Sequence, residues 1–435
     1  MKKREHALEI FKAAVAAVQP RQLLPQYLLI KNDILEIDGL AYPLQKNKLF
    51  VVGAGKASAA MASAVENILG KRISEGFIAS KYAHCLPLEH IQCFESAHPV
   101  PDENSVKAVS QTLAILQKAG PGDLVLCLLS GGASSLWADI PAELSLKDLQ
   151  NTSKLLLKIG ADIGELNSIR KHLSTIKGGQ LLRQAPASTW VTLIISDVPG
   201  DDPSVIASGP TVPDPVKFED LLTIIDKYDM REKLPVPVWE YIQKGVRGLI
   251  PETLKPGDPV LQRARTLLIG NNALALAAAG KEAEKLGYHF VIVNDKMYGD
   301  CSRAASDLVN YIEKYNGPLP ACLVTGGETT VKLKGQGKGG RNQQLALQCL
   351  VDWPIKPDRD ICLLAAGTDG TDGPTDAAGA IVDKLAIQQA NLLQLNPARY
   401  LEENDSYHFF EKTGSLLITG PTQTNVMDLT ITLVE

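Results

Sequence analysis

The chain reads as an α/β protein of two domains, and three observations carry that reading. Its 435 residues exceed what one hydrophobic core serves, at about 150 residues per domain. Short aliphatic or β-branched runs alternate with longer segments of 3.6-residue periodicity. Those runs end in turns rich in glycine or aspartate, and the 35 glycines are the residues that let a backbone turn tightly or approach a ligand.

The first elements form a βαβ unit. A strand over 48–52 runs into Gly53-Ala54-Gly55-Lys56, a small-residue helix extends to about Leu69, and a second strand spans 76–80. Asp102 then caps a helix carrying Val106, Val109, Leu113 and Leu116. Residues 123–129 are apolar almost throughout, which means burial on both faces of a sheet, and they stop at Ser130-Gly131-Gly132-Ala133-Ser134-Ser135. Ser145 opens a helix to about Ile159, 165–182 carries one helical periodicity, and 191–195 is a third buried strand ending at Ser196-Asp197.

Gly248, Pro251, Pro256, Gly257 and Pro259 then break all periodicity. They predict a linker over 246–260 between a domain of residues 1–245 and another of 261–435. In the second, strands over 267–269, 289–293, 321–325, 330–334 and 361–366 alternate with helices over 272–286, 301–315 and 342–350. Residues 415–419 and 428–434 read as paired strands, belonging to either domain.

Composition excludes several function classes. With 45% hydrophobic and 21% charged residues the chain is an ordinary globular protein. A net charge of -5 gives no overall positive field, so neither nucleic acid nor a membrane surface is an expected partner. No apolar stretch reaches the roughly 18 residues of a membrane span. The seven cysteines, without a C-x-x-C pair, read as reduced thiols of a cytoplasmic protein. Residues 1–18 place Leu8, Phe11, Val15 and Val18 at helical spacing, and Glu5 and Glu9 favour a docking helix over a transit peptide.

Ligands of open parallel sheets bind beyond the carboxyl ends of the strands, so the turns carry the candidate chemistry. Gly53, Gly55 and Lys56 fail the Walker pattern, because Ala57 stands where a magnesium-binding hydroxyl belongs. They also fail G-x-G-x-x-G at Ser58, and Ser80-Lys81 lacks the carboxylate that would take a ribose. What remains is a tight turn offering N–H groups and the Lys56 ammonium to an anion at a helix start. Ser130, Gly131, Gly132 and Ser134 supply hydroxyls and bare backbone for an oxygen-rich ligand, with no G-x-S-x-G to make a hydrolase.

Asn167, Arg170, Ser174 and Lys177 put polar and cationic groups on a helical spacing, able to face a carboxylate or phosphate, while His172 reads as structural. Asp197, Asp201 and Asp202, with Ser208 following, could hold magnesium, accept a hydroxyl proton or simply form turns. In the second domain Gly327-Glu328 ends a strand, and Gly340-Arg341-Asn342 opens a helix with an arginine fork suited to phosphate. Asp369, Asp372 and Asp376 crowd a loop that is not an EF-hand. Taken jointly, the turns fit a phosphate-handling cleft better than punctuation alone.

The ordered set Val52-Gly-Ala-Gly-Lys-Ala, Leu129-Ser-Gly-Gly-Ala-Ser-Ser, Asn167-x-x-Arg-Lys-His-Leu-Ser, Ile195-Ser-Asp-Val, Ala207-Ser-Gly-Pro-Thr, Thr325-Gly-Gly-Glu, Gly339-Gly-Arg-Asn-Gln and Gly367-Thr-Asp-Gly resembles the class II glycerate kinases, the family with a C-terminal MOFRL domain. The chain departs from the family's Gly-Pro-Thr-Gly-Thr-Asn at Gln423, which stands where the family has glycine.

The resemblance implies a Rossmann-like, doubly wound parallel N-terminal domain, a C-terminal α/β MOFRL domain and a cleft between them. It implies ATP-dependent phosphorylation of D-glycerate, at the 2-hydroxyl, with Mg2+. Lys56 and Arg341 match residues regarded as catalytic in the family. On that basis Asp197 is the candidate for orienting or deprotonating the hydroxyl, and Asp197, Glu328 and Asp369 are the candidates for the metal. The glycerate carboxylate falls to Ser134, Arg170 or the Gly132 backbone. A homodimer is compatible with the sequence. An NAD(P)H-dependent hydroxypyruvate reductase and a non-catalytic sugar-phosphate binder are the alternatives; the failed dinucleotide pattern disfavours the first, and the number of carboxylates the second.

Overall fold

A computed structural model describes residues 2–353 and 360–435. Packing divides the chain into a larger unit, Leu23–Ile269, and a smaller one, Met1–Gln22 with Gly270–Glu435. This differs from the linker read at 246–260. That segment is fastened into the larger unit, since Leu254 N donates to Gly178 O, Asp214 N donates to Leu254 O, and Thr253 Oγ1 donates to the buried Asp214 carboxylate. The prolines there break a helix without freeing the chain.

The larger unit opens on a small antiparallel sheet of β1 (Leu28–Lys31), β2 (Ile34–Ile37) and β3 (Leu40–Pro43). Its main sheet holds β4 (Leu49–Ala54), β5 (Glu75–Lys81), β6 (Ile91–Ser96), β7 (Leu124–Ser130), β8 (Thr189–Ile195) and β9 (Ala264–Gly270), hydrogen-bonded in the order β6-β5-β4-β7-β8-β9. The strands from β4 to β8 run parallel. β4 and β7 are buried along their whole length, as their unbroken apolar runs require. The chain winds outward from β4 to β6, then returns to β7 and winds the other way, so the order reverses between β4 and β7. That is the topological switch point, where such sheets bind ligands. Phe50, Phe77, Cys127, Leu129, Trp190 and Ile194 form the core around it.

The periodic segment over 165–182 is not one helix. Helix Ile163–His172 ends where Ser174 Oγ and Thr175 N both turn to Asp139, and Gly178 and Gly179 follow with φ of +58° and +79°. Arg170, Ser174 and Lys177 therefore do not share a helical face.

The smaller unit contains β10 (His289–Asp300), β11 (Ala321–Thr330), β12 (Ile361–Gly367), β13 (Gly379–Val382), β14 (Leu416–Leu417) and β15 (Asp428–Val434), in the order β10-β11-β15-β12-β13-β14. β15 does not pair with the stretch over 415–419; it inserts antiparallel between β11 and β12, while β14 pairs with β13. The last strands thus stay in the smaller unit. β11 runs straight through Gly326-Gly327, and 331–334 is not a strand. Helix Lys2–Ala17 docks on helix Asn272–Lys285 and on β15 of this unit, and Arg4 grips Asp383 through Nε and Nη2 at 2.7 and 2.9 Å.

One cysteine expectation is corrected: Cys85 and Cys93 form a disulfide, their Cα atoms 5.8 Å apart. The loop before β6 folds back on that strand, a proximity that a separation of eight residues does not announce. The other five cysteines are buried, and burial pushes the Cys127 thiol up to about 12, which leaves it unreactive. No helix among the described residues is long and apolar enough to cross a membrane.

Candidate active site

At the switch point two turns interlock. Lys56 N donates to Gly131 O at 2.8 Å, Ala57 N to Ser130 Oγ at 3.0 Å, and Gly55 N to Ala79 O at 3.1 Å. A β-carbon on Gly55, whose φ is +141°, would lie 2.1 Å from Ser130 Oγ. One on Gly53 would lie 2.4 Å from Leu128 O, so Gly53 serves the packing of β4 on β7 and not a ligand. Nor is there an N–H cradle here: these amide groups are spent inside the protein. What this turn offers an anion is the half-buried Lys56 side chain.

The second turn is the open one. Gly132, with φ +84°, caps the short helix Ala133–Leu136, its carbonyl accepting from Ser135 N at 3.1 Å and Leu136 N at 3.3 Å. A β-carbon on Gly131 would fall 1.7 Å from Asp197 Oδ2, and one on Gly132 would fall 3.1 Å from His98 Nε2 and 3.4 Å from Lys56 Cγ. Lys56, His98 and Asp197 therefore surround two adjacent glycines, each side chain half-buried. The sequence reading missed His98. Its signal is a histidine two residues beyond the end of a parallel strand, β6.

Beside this turn the structure assembles three of the residues read from sequence. Ser208 Oγ donates to Asn167 Oδ1 at 3.0 Å, so the 2.9 Å bond between Ser134 and Ser208 is donated by Ser134. Ala207 and Ser208 hold φ of +54° and +58°, a left-handed conformation costing roughly 1–3 kcal/mol per non-glycine residue and concentrated at functional sites. Arg170 has no carboxylate partner among the described residues, and burial lowers its pKa. An unneutralised guanidinium of this kind suits a substrate carboxylate. Lys177, by contrast, is spent: Nζ donates to Trp137 O at 3.0 Å and lies 3.6 Å from Asp139. His172 is structural, its Nδ1 donating to Ser168 O at 2.8 Å. Asp202 is exposed and forms a turn through Ser204 N.

In the smaller unit Arg341 is the centre. Its Nε and Nη2 donate to Asp428 at 2.5 and 2.8 Å, and Nη1 lies 2.7 Å from Glu328. Burial works against its charge, but the hydrogen bonds and charge of Asp428, then of Glu328, outweigh it and raise the pKa. Asp428 is a second residue that the sequence reading missed. Arginine has five N–H donors, so this clamp leaves two for a ligand.

Gly340 and Asn342 turn out to be structural. Asp372 accepts from Asn342 N, Asn342 Nδ2 and Gln343 N at 3.1, 3.3 and 2.8 Å, capping helix Arg341–Asp352, and a β-carbon on Gly340 would meet Asp372 Cγ at 2.2 Å. Burial pushes Asp372 up to about 6 despite the amide bonds, with the charge of Asp428 adding to the shift. Gly327, at φ +138°, lets β11 approach the backbone of Met297 and does not face a ligand.

The three acids proposed for a metal come from both units. Asp197 belongs to the larger unit, Glu328 and Asp369 to the smaller, and among the described residues no group of three or more His, Cys, Asp or Glu is arranged to hold a metal ion. Magnesium in kinases needs only one or two carboxylates besides phosphates and water. Asp369 Oδ1 and Asp428 Oδ1 lie 3.3 and 3.4 Å from where a β-carbon on Gly367 would sit, but both Asp428 oxygens are held by Arg341, and Asp369 Oδ1 accepts from Thr371 N and Oγ1. Glu328 is occupied with Arg341.

Comparison with known proteins identifies the family. A domain family of unknown function, DUF4147, matches residues 6–243, and the MOFRL family matches residues 321–428. The chain is 39% identical to the glycerate 2-kinase of Pyrococcus horikoshii, over 99% of this chain and 97% of that protein. It is 38% identical to a provisionally named hydroxypyruvate reductase of Agrobacterium vitis, over 98% and 93%. The crystal structure of a glycerate kinase from Thermotoga maritima matches it with a TM-score of 0.86 at 36% identity, covering 100% of both chains. With both domain matches in place and similarity along its whole length, the chain belongs to the class II glycerate kinases, the family with a C-terminal MOFRL domain.

Proposed function

We propose that the chain transfers the γ-phosphoryl group of ATP to the 2-hydroxyl of D-glycerate, giving 2-phosphoglycerate and ADP. The observation that carries this reading is the convergence of Lys56 and Asp197 on Gly131-Gly132 at the switch point. Phosphoryl transfer is mostly positioning and charge neutralisation, and this is a cation and a carboxylate at an open turn. The hydroxyl oxygen forms the new bond to phosphorus as the bond to the ADP oxygen breaks, and Asp197 takes the hydroxyl proton. Lys56 and the two spare donors of Arg341 neutralise phosphoryl charge. Arg170, with the Gly132 backbone, takes the glycerate carboxylate, since the Ser134 hydroxyl proton is committed to Ser208.

Magnesium, when bound, would neutralise charge on the nucleotide phosphates, and Asp369 would be the side chain that holds it. The dependence on ATP and glycerate fits a cytoplasmic enzyme. The reductase alternative is weakened further by the first turn, whose amides hydrogen-bond to Ala79, Gly131 and Ser130 and have nothing left for a dinucleotide pyrophosphate. Incubation with D-glycerate or hydroxypyruvate, each paired with ATP or NADH, tests the reading. ADP release only with D-glycerate and ATP supports it; NADH oxidation with hydroxypyruvate overturns it.

A further inference from the structure

His98 is held over the open turn by construction. It lies between β6, an edge strand, and the helix that opens at Glu103, yet it reaches the end of β7, past the ends of β5 and β4. Two hydrogen bonds bracket it: Ser96 Oγ donates to Leu136 O at 3.2 Å, and Ser135 Oγ donates to Pro99 O at 2.7 Å. Both tie the segment to the helix that follows Gly132. A third, from Ala97 N to Asp102 Oδ1 at 3.3 Å, fixes it to the capped start of the next helix. The ring stands on the Gly132 backbone beside the Lys56 stem, where a β-carbon would come 2.9 Å from Cδ2. The missing side chain at Gly132 leaves room for the imidazole beside Lys56.

The reading of the site as a glycerate kinase gives every polar group of the acceptor a partner except one. Arg170 suits the carboxylate, Asp197 the reacting hydroxyl and Lys56 the incoming phosphoryl group. The 3-hydroxyl remains, and a hydroxyl both donates and accepts, which a neutral imidazole also does and a cation or carboxylate does not. Resting on that reading, we propose that His98 is a specificity-determining residue that hydrogen-bonds the 3-hydroxyl of glycerate and so separates it from 2-hydroxy acids that end in a methyl group.

The test compares D-glycerate with D-lactate, which lacks only the 3-hydroxyl, the latter measured as a competitive inhibitor. In His98→Ala the kcat/KM for D-glycerate falls about tenfold, the scale of one neutral hydrogen bond. The Ki of D-lactate stays within about threefold of wild type, and the KM for ATP is unchanged. His98→Asn, which keeps a donor and an acceptor, recovers part of the loss and carries the same comparison should the alanine variant not fold. Equal weakening of D-glycerate and D-lactate, or weakening of neither, overturns the proposal. A wild-type protein that releases no ADP with D-glycerate would instead overturn the kinase reading itself, and this inference with it.

Discussion

Asp428, almost fully buried, accepts both arms of the Arg341 fork, from Nε at 2.5 Å and from Nη2 at 2.8 Å. The pair links the first residue of a helix to the first residue of β15, the strand that inserts between β11 and β12. It orients the guanidinium, and it places a carboxylate where only a cation makes burial tolerable.

Removing the cation should therefore cost stability as well as activity. Arg341→Ala leaves Asp428 buried and uncompensated, and breaking such a pair costs about 3–5 kcal/mol. Arg341→Lys keeps the charge but cannot make the fork, so it should fold better than the alanine variant and still lose a large part of kcat. Chemical denaturation and steady-state kinetics on the two variants check this. Equal stability of wild type and Arg341→Ala contradicts it.

Lys56 makes the opposite prediction. Its stem rests on Gly132, and its backbone N–H ties the two turns together. Lys56→Ala should unfold like wild type and lose phosphoryl transfer by a factor on the order of 10² or more. A near-native turnover number would remove Lys56 from the mechanism.

Gly131→Ala probes Asp197 without touching it. The new methyl would occupy the space 1.7 Å from Asp197 Oδ2, so the carboxylate must move away. Turnover should fall about as far in this variant as in Asp197→Asn, and combining the two should add little, as for residues acting through one group. Additive losses would show that the glycine and the acid act separately.

The buried Asp372 sets a pH dependence of stability. Its folded pKa of about 6 lies above the ordinary value of 3.8, so the folded state holds the proton more tightly than the unfolded state. Its stabilising contribution is complete below about pH 4 and is lost as pH rises through about 6. The difference, roughly two pKa units, is about 3 kcal/mol. Between pH 4 and pH 7, Asp372→Asn should gain about that much relative to wild type in urea unfolding. A pH-independent difference contradicts the assignment.

Gln423 offers a stability test at a departure from the family's motifs. It adopts φ +65°, the left-handed region that glycine enters freely and other residues enter at a cost of roughly 1–2 kcal/mol. Gln423→Gly should raise the unfolding free energy by about 1 kcal/mol or leave it unchanged, because the glycine also frees the unfolded chain. A clear loss would mean that the glutamine side chain contributes a contact of its own.

Much of the larger unit was legible because its signals are local. Unbroken apolar runs mark β4 and β7, and the polar turns after them mark the switch point. Asn167, Ser134 and Ser208 were read separately, and they meet in one hydrogen-bonded chain. Where the reading failed, a long-range partner decided the outcome. Asp139 ended the helix that periodicity extended to 182, Asp372 turned Gly340 and Asn342 into a helix cap, and Trp137 and Asp139 took Lys177. Glycines misled in the same way: Gly53 and Gly327 sit where neighbouring strands need space, and sequence alone does not separate that from a ligand's need. His98 and Asp428 were missed because each comes from a strand end whose place in the sheet is set by topology and not by spacing.

The most direct measurement of the central claim is the phosphorus NMR spectrum of a reaction containing the wild-type protein, ATP and D-glycerate, with proton coupling used to locate the new ester. The account predicts ADP and 2-phosphoglycerate in equal amounts, the phosphorus coupled to the single proton on carbon 2. Coupling to the two protons on carbon 3, or ATP left intact, would contradict it.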